Sequence, residues 1–300
     1  MRFGDERESS NYADDTGRGG GLGFGGGGGN ALGCLIPLVM SRFGLGGVVV
    51  LVIGYFVLTS LGGLGGLGGG TGGLGPSSQQ VGAPAGQSNL DPNTKHFTLQ
   101  VLASTEDTWA KLLQPQGVRY TPTVLHFYSE SDQSGCGAAQ SAMGPFYCPD
   151  DKAIYLDTEF FNELSRRFQA PGDFAMAYVV AHEVGHHVQD LTGTLDQAYN
   201  LQARASQTEG NAIQVKVELQ ADCYAGVWAA NAKTPDGQAV MEPGDFEEGM
   251  RAAEAIGDDT LQRETQGRVV PDSFTHGSSA QRMEALQRGF KSGDPAACKF

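Results

Sequence analysis

Hydrophobic positions along the chain follow two patterns that change near residue 90. From Phe43 to Leu90 there is no charged residue, and the stretch FGLGGVVVLVIGYFVLTSLGG at 43–63 is apolar on nearly every side. After Lys95, apolar and polar positions alternate with the periods of helices and strands. Thr123–Tyr128 and Ala153–Asp157 are short and rich in β-branched and aromatic residues, so they read as strands. Helical spacing is found at Thr105–Leu113, at Glu159–Phe168 behind a capping Asp157, and at Thr194–Ala205. Ser206 and Glu209 have the spacing of a capping box that opens another helix, and a closing helix ends near Phe290. Gly135–Cys148 is small and glycine-rich, suited either to an edge strand or to a stapled loop. The mixture predicts an α+β domain over 95–300.

The preceding segments divide by composition. Residues 1–30 are polar and then Gly-rich, which predicts a disordered head. Residues 31–63 read as a membrane anchor with its span at about 43–63, because about 20 apolar residues cross a bilayer as a helix. A buried core helix and a cleaved signal peptide are the alternatives. A glycine tract instead of a folded domain follows the segment, and a long polar head precedes it, so both fit less well. Arg42 lies just before the span and the next positive charge is Lys95. That asymmetry predicts a single pass through the membrane, with the N-terminus cytoplasmic and the C-terminal domain exported. Residues 64–94 form a Gly/Ser/Pro-rich linker.

Charge and cysteine content narrow the classes. The net charge is −14, which disfavours binding of nucleic acid or anionic lipid headgroups through charge. Four of the five cysteines, Cys136, Cys148, Cys223 and Cys298, lie in the C-terminal domain. They allow three pairings; the loop between Cys136 and Cys148 favours that local pair, which leaves Cys223 with Cys298. A second zinc site built from these four is the rival, and no Cys-x-x-Cys supports it.

The candidate chemistry begins at Val179–Val188, which contains His-Glu-x-x-His. On a helix His182 and His186 leave one face about a turn apart, a spacing suited to two ligands of a tetrahedral Zn²⁺. Glu183 lies beside them, where a carboxylate can take a proton from an activated water. Pro171-Gly172-Asp173 opens this helix, with Asp173 as cap, and Gly193 ends it. A polar face holding two histidines by accident is the plain alternative. A second helical segment, Val217–Gly226, carries Glu218 and, four residues on, Asp222 among apolar neighbours. Buried acids need a partner or a metal, so Glu218 is the expected third ligand and Asp222 the acceptor that orients a ligand histidine. In the closing loop, His276 is a candidate donor to an oxyanion and Arg282 a candidate anchor for the core acids.

With these stretches placed, the chain resembles a bacterial family of neutral zinc metallopeptidases. The phrases that carry the likeness are GCGAAQSAMGPFYCPDDKAIYLD, PGDFAMAYVVAHEVGHHVQ, VELQADCYAGVWA and FTHGSSAQRMEALQRGFKSGDPAAC, in that order. The resemblance implies a zincin-like fold, with HExxH and ExxxD on two helices beside a small sheet and one N-terminal transmembrane helix. More distantly, the second helix and the His276–Arg282 spacing are similar to CaaX-type and heat-shock zinc proteases. Those carry Pro after the histidine, where this chain has Gly277. The expected activity is that of a membrane-tethered zinc endopeptidase acting on protein or peptide substrates, with Glu183 as general base. A non-catalytic zinc-stabilised scaffold and a zinc hydrolase of a non-peptide bond are the competing classes.

Overall fold

The structure is a computed structural model, and it describes residues 1–17, 90–166 and 172–300. The sheet has four strands in the order β1 (Tyr12–Asp14), β2 (Val124–Tyr128), β6 (Ala153–Asp157) and β5 (Phe146–Cys148). The first three run parallel, and β5 pairs antiparallel with β6 at the edge. All five side chains of β6 are buried, as expected of an inner strand with both faces covered. A separate hairpin joins β3 (Ser131–Ser134) to β4 (Gly137–Gln140). The segment 135–148 therefore combines half of a hairpin with a true edge strand. Disulfides link Cys136 to Cys148 and Cys223 to Cys298, the expected pairs.

The described residues form eight α-helices, α1 (Pro92–Leu113), α2 (Phe160–Arg166), α3 (Asp173–Leu191), α4 (Thr194–Gln202), α5 (Gln207–Asn231), α6 (Asp245–Ala255), α7 (Asp258–Gln266) and α8 (Ser279–Ser292), of which α3 packs against β5 and β6. α1 begins thirteen residues earlier than its sequence signal, because Asp91 accepts the Thr94 N–H and Pro92 fits the first turn. The capping box of α5 forms as expected, with Ser206 and Glu209 bonded reciprocally. Asp173 does not cap α3; it is the helix's first residue, and Gly172 at φ 135° precedes it.

Helix contacts are made close by glycine. A Cβ on Gly226 would overlap the Leu286 carbonyl, and one on Gly289 would overlap the Cys223 carbonyl, so α5 and α8 touch backbone to backbone. The core between α1, α3 and α5 holds Trp109 edge-on to Tyr224 at 5.2 Å and Phe174 stacked on Trp228 at 6.3 Å. Each such side chain contributes about 1.5–3 kcal/mol of hydrophobic stabilisation.

Two expectations about the N-terminal segments are corrected. The head was expected to be disordered, yet residues 1–17 belong to the fold. Glu106 of α1 is a buried carboxylate, and Arg7 (2.8 Å), Ser9 (2.6 Å) and Asn11 (2.8 Å) from the head supply its hydrogen bonds. The Ser9 N–H reaches the Leu99 carbonyl and the Leu125 N–H reaches the Asn11 carbonyl, so the head is tied on both sides.

The N-terminal transmembrane helix is the second correction. Among the described residues no helix is long and apolar enough to cross a membrane; residues 43–63 themselves lie outside them. Met1–Gly20 and Ala85–Phe300 form one compact unit, in which β1 is paired with β2. A single pass between these two segments would put a bilayer between hydrogen-bonded strands. The pairing is incompatible with a single pass that places β1 and β2 in opposite compartments, and no helix among the described residues supports a membrane partner.

Candidate metal centre

α3 and α5 meet at Gly185, where an added Cβ would lie 3.0 Å from the Ala221 carbonyl. Gly185 stands between His182 and His186, and Ala221 between Glu218 and Asp222. This close approach brings the two helices' polar groups together in an otherwise apolar core. His182 Nε2 is 3.2 Å from Glu218 Oε2 and 3.2 Å from His186 Nε2; His186 Nε2 is 3.5 Å from the same carboxylate oxygen.

Hydrogen bonds on the far side of each ring fix its tautomer. His182 Nδ1 lies 2.8 Å from Asp222 Oδ1 and must donate to it. His186 Nδ1 lies 2.8 Å from Gln189 Oε1. The Gln189 amide donates to the Val217 carbonyl (2.7 Å) and to Gln220 Oε1 (2.9 Å), so its oxygen is the atom that faces His186. Both Nδ1 atoms thus carry hydrogen, so in the neutral rings both Nε2 lone pairs face one another and a carboxylate oxygen. Two imidazole nitrogens and a carboxylate oxygen converge here, an arrangement suited to a cation.

The charge balance agrees. Counted as carboxylates, Glu183, Glu218 and Asp222 are all buried, and among the described groups the buried Arg282 is their cationic partner. The surplus of about two negative charges matches a divalent ion beside neutral imidazoles. His182, His186 and Glu218 form a group whose ligand atoms all lie within 4.8 Å of one another. The donor set, two imidazoles and a carboxylate, suits zinc. Glu183 is buried, and its Oε2 has no hydrogen-bond partner. Glu183 is close enough to act electrostatically on both His182 and His186.

Asp222 is fully buried and saturated. It receives the Tyr178 hydroxyl (2.6 Å), His182, and both Nε and Nη2 of Arg282 (2.9 Å each). Burial pushes its carboxyl up, and Arg282 with His182 overrides this, holding it at about 2. His276 stands apart from this cluster, exposed at the surface, with Nδ1 3.3 Å from Asp258 Oδ1. Asp258 Oδ2 also accepts the backbone N–H groups of Thr275 (2.7 Å), His276 (2.7 Å) and Gly277 (3.1 Å). That anchoring explains Gly277. Its φ is +91° and its N–H donates to Asp258, and proline permits neither. The hydrogen bond to Asp258 and the field of Glu218 raise the His276 pKa against partial desolvation.

The structure thus brings together His182, Glu183, His186, Glu218, Asp222 and Arg282, and sets His276 on a neighbouring loop without direct contact to them. Four supporting residues escaped the sequence reading: Tyr178, Gln189, Gln214 and Asp258. Gln214 donates to Glu218 Oε1 at 2.9 Å. Tyr178 and Gln214 sit four residues before a site residue and Gln189 three after, so helical spacing carried a signal for three of them. Asp258 acts across 18 residues and has no local signature. His187, beside a ligand candidate, turns away to the Thr121 carbonyl (2.6 Å) and the Tyr147 hydroxyl (3.0 Å).

An HExxH helix faced by a carboxylate-bearing helix defines a class of metallopeptidase-like proteins. The chain belongs to the family described as "putative neutral zinc metallopeptidase", whose profile matches residues 1–300. It is 45% identical over 302 aligned residues to the uncharacterized protein YpfJ of Escherichia coli (strain K12), covering 99% of this chain and 98% of that protein. It is 44% identical over 203 residues to the uncharacterized protein Rv2575 of Mycobacterium tuberculosis (strain H37Rv), covering 65% of this chain and 66% of that one. No solved structure gives a significant match.

Proposed function

We propose that this protein is a zinc-dependent endopeptidase whose ion is held by His182, His186 and Glu218. The observation that carries the reading is the convergence of His182 Nε2, His186 Nε2 and a Glu218 oxygen beside Glu183, whose buried Oε2 has no hydrogen-bond partner. Zinc bound there supplies Lewis acidity, which polarises a scissile carbonyl and acidifies a water. Glu183 takes the proton of the attacking water and passes it to the leaving amine. Asp222 and Gln189 keep the imidazole lone pairs turned inward, and Arg282 with Tyr178 keeps Asp222 in place. His276, its Nδ1 held between Asp258 Oδ1 (3.3 Å) and the Thr275 hydroxyl (3.1 Å), offers Nε2–H to the developing oxyanion. A scaffold that used zinc for stability alone would have no need of a buried, unpartnered Glu183. The two disulfides support an oxidising compartment, where such bonds persist.

The deciding experiment compares the wild-type chain with Glu183→Gln on an unfolded protein substrate, with zinc content measured in parallel. The variant keeps one zinc per chain and loses activity by about 10²-fold or more. Equal cleavage by both proteins would remove Glu183 from the chemistry. A wild type that binds no zinc would remove the metal.

A further inference from the structure

The two candidate ligand histidines are held by different kinds of support. His182 leans on an ionised carboxylate with its own guanidinium, all of it on helices α3, α5 and α8. His186 leans on a line of neutral amides. Its Nδ1–H meets Gln189 Oε1 at 2.8 Å, Gln189 Nε2 donates to Gln220 Oε1 at 2.9 Å, and Gln220 Nε2 donates to the Cys298 carbonyl at 2.8 Å. Gln189, Gln220 and Cys298 are all buried, so water is not positioned to replace a lost partner. Cys298 lies beyond the end of α8, in the tail that the Cys223–Cys298 disulfide joins to α5.

The direction of this line matters more than its length. An amide can be turned over, exchanging its oxygen for its nitrogen. The Cys298 carbonyl can only accept, so it forces Gln220 to present nitrogen to the tail and oxygen to Gln189. Gln189 then presents nitrogen to Gln220 and oxygen to His186. If Gln220 turned over, Gln189 would meet a nitrogen instead of an oxygen. Were Gln189 to follow, its NH₂ would face His186 Nδ1 and drive the ring proton to Nε2, the atom that faces Glu218 and His182. A protonated Nε2 cannot bind a metal. The Val217 carbonyl, 2.7 Å from Gln189 Nε2, favours the same orientation and shares the task.

We infer that the C-terminal tail sets the tautomer of His186 through Gln220 and Gln189, so that the metal affinity of the site depends on the Cys223–Cys298 disulfide. The inference rests on the metal-centre reading above and adds a regulatory input to it. A dithiol reductant would transfer two electrons and two protons to the bond, leaving Cys223 and Cys298 as thiols and the dithiol oxidised to its own disulfide. The tail, no longer tied to α5, would release the carbonyl that fixes Gln220.

The test uses the full chain and measures zinc affinity by competition with a chelator, with circular dichroism to confirm folding. Gln189→Met should weaken zinc about 10–100-fold, the range for losing the outer partner of a ligand histidine. Gln220→Met, with the disulfide intact, should weaken it less, by about 10-fold, because Val217 still holds Gln189. Cys223→Ala/Cys298→Ala should weaken it to a similar degree as Gln220→Met. Combining all three substitutions should cost no more than Gln220→Met alone, because both act on one line. NMR of ¹⁵N-labelled histidine in the metal-free chain should report Nδ1–H at His186 in the wild type and mixed tautomers in Gln220→Met. Should the disulfide variant not fold, the Gln220→Met affinity and tautomer decide by themselves. Zinc binding by Gln220→Met as tight as wild type overturns the inference while leaving the metal centre intact. Losses that multiply in the combined variant overturn it too, since the disulfide would then act by general loosening. A wild type without zinc removes both readings.

Discussion

The two halves of the candidate metal centre solve one problem with opposite means. Around His182 the support is ionic, with Asp222 gripped by Arg282 in two hydrogen bonds and by Tyr178 in a third. Around His186 it is a file of amides ending on a backbone carbonyl. A buried ion pair is costly to break, because removing one partner strands the other's charge. Losing a member of the amide file strands a hydrogen bond but no charge, so it costs less. One half of the centre is therefore fixed by the fold, and the other takes its orientation from a tail and a disulfide.

The largest effect should come from breaking the ionic half. Arg282→Met leaves Asp222 ionised and unpaired on one side in a site where both are buried. Unfolding by denaturant should show a loss of about 3–5 kcal/mol. Gln189→Met removes no charge and should be clearly milder in the same measurement; comparable losses would erase the contrast. Gly289→Ala should follow in size. Its Cβ would overlap the Cys223 carbonyl, which cannot move without shifting α5. Overpacking of this sort costs about 1–3 kcal/mol, read as a lower midpoint of thermal unfolding. A midpoint unchanged from wild type would mean that α5 and α8 are not locked together.

The next effect separates the acids. Asp222→Asn retains an acceptor for His182 but loses the charge, so zinc should bind about 10–100-fold more weakly. Excess zinc should then restore part of the activity of Asp222→Asn and none of that of Glu183→Gln. Rescue of both or of neither would refute the division of labour between the two residues.

Much of this centre was legible in the sequence because helices repeat. HExxH and ExxxD announce which side chains share a face, and the capping box at Ser206 marks where the second helix begins. The glutamines were not legible. Gln189 and Gln214 stand at the right spacing, but an amide has no default role until its partners are known. The head failed for a different reason. β1 is three residues long and polar in part, and its partner strand lies over a hundred residues away, so no local pattern marks it. Reading 43–63 by composition alone then led to a single-pass topology that the pairing of β1 with β2 forbids.

The smallest effect concerns the rim, where His276 meets Asp258. The hydrogen bond to Asp258 raises the His276 pKa above its ordinary value of about 6.5. The sign follows directly: the charged ring persists above pH 6.5 and is lost as pH rises through the raised pKa. Because Asp258 holds Nδ1–H, the proton that leaves is the one on Nε2, and with it goes the donor proposed for the oxyanion. Wild-type kcat/KM should therefore fall along an alkaline limb above pH 6.5. Asp258→Asn can keep the three backbone N–H bonds through its oxygen and turn its NH₂ toward Nδ1. The neutral ring then holds its proton on Nε2 at every pH on that limb. At pH 6 the variant should be modestly slower, since a neutral donor is about half as strong as a charged one. Above pH 6.5 its limb from His276 should vanish. An alkaline limb that is identical in both proteins would show that His276 gives no proton or hydrogen bond to the reaction.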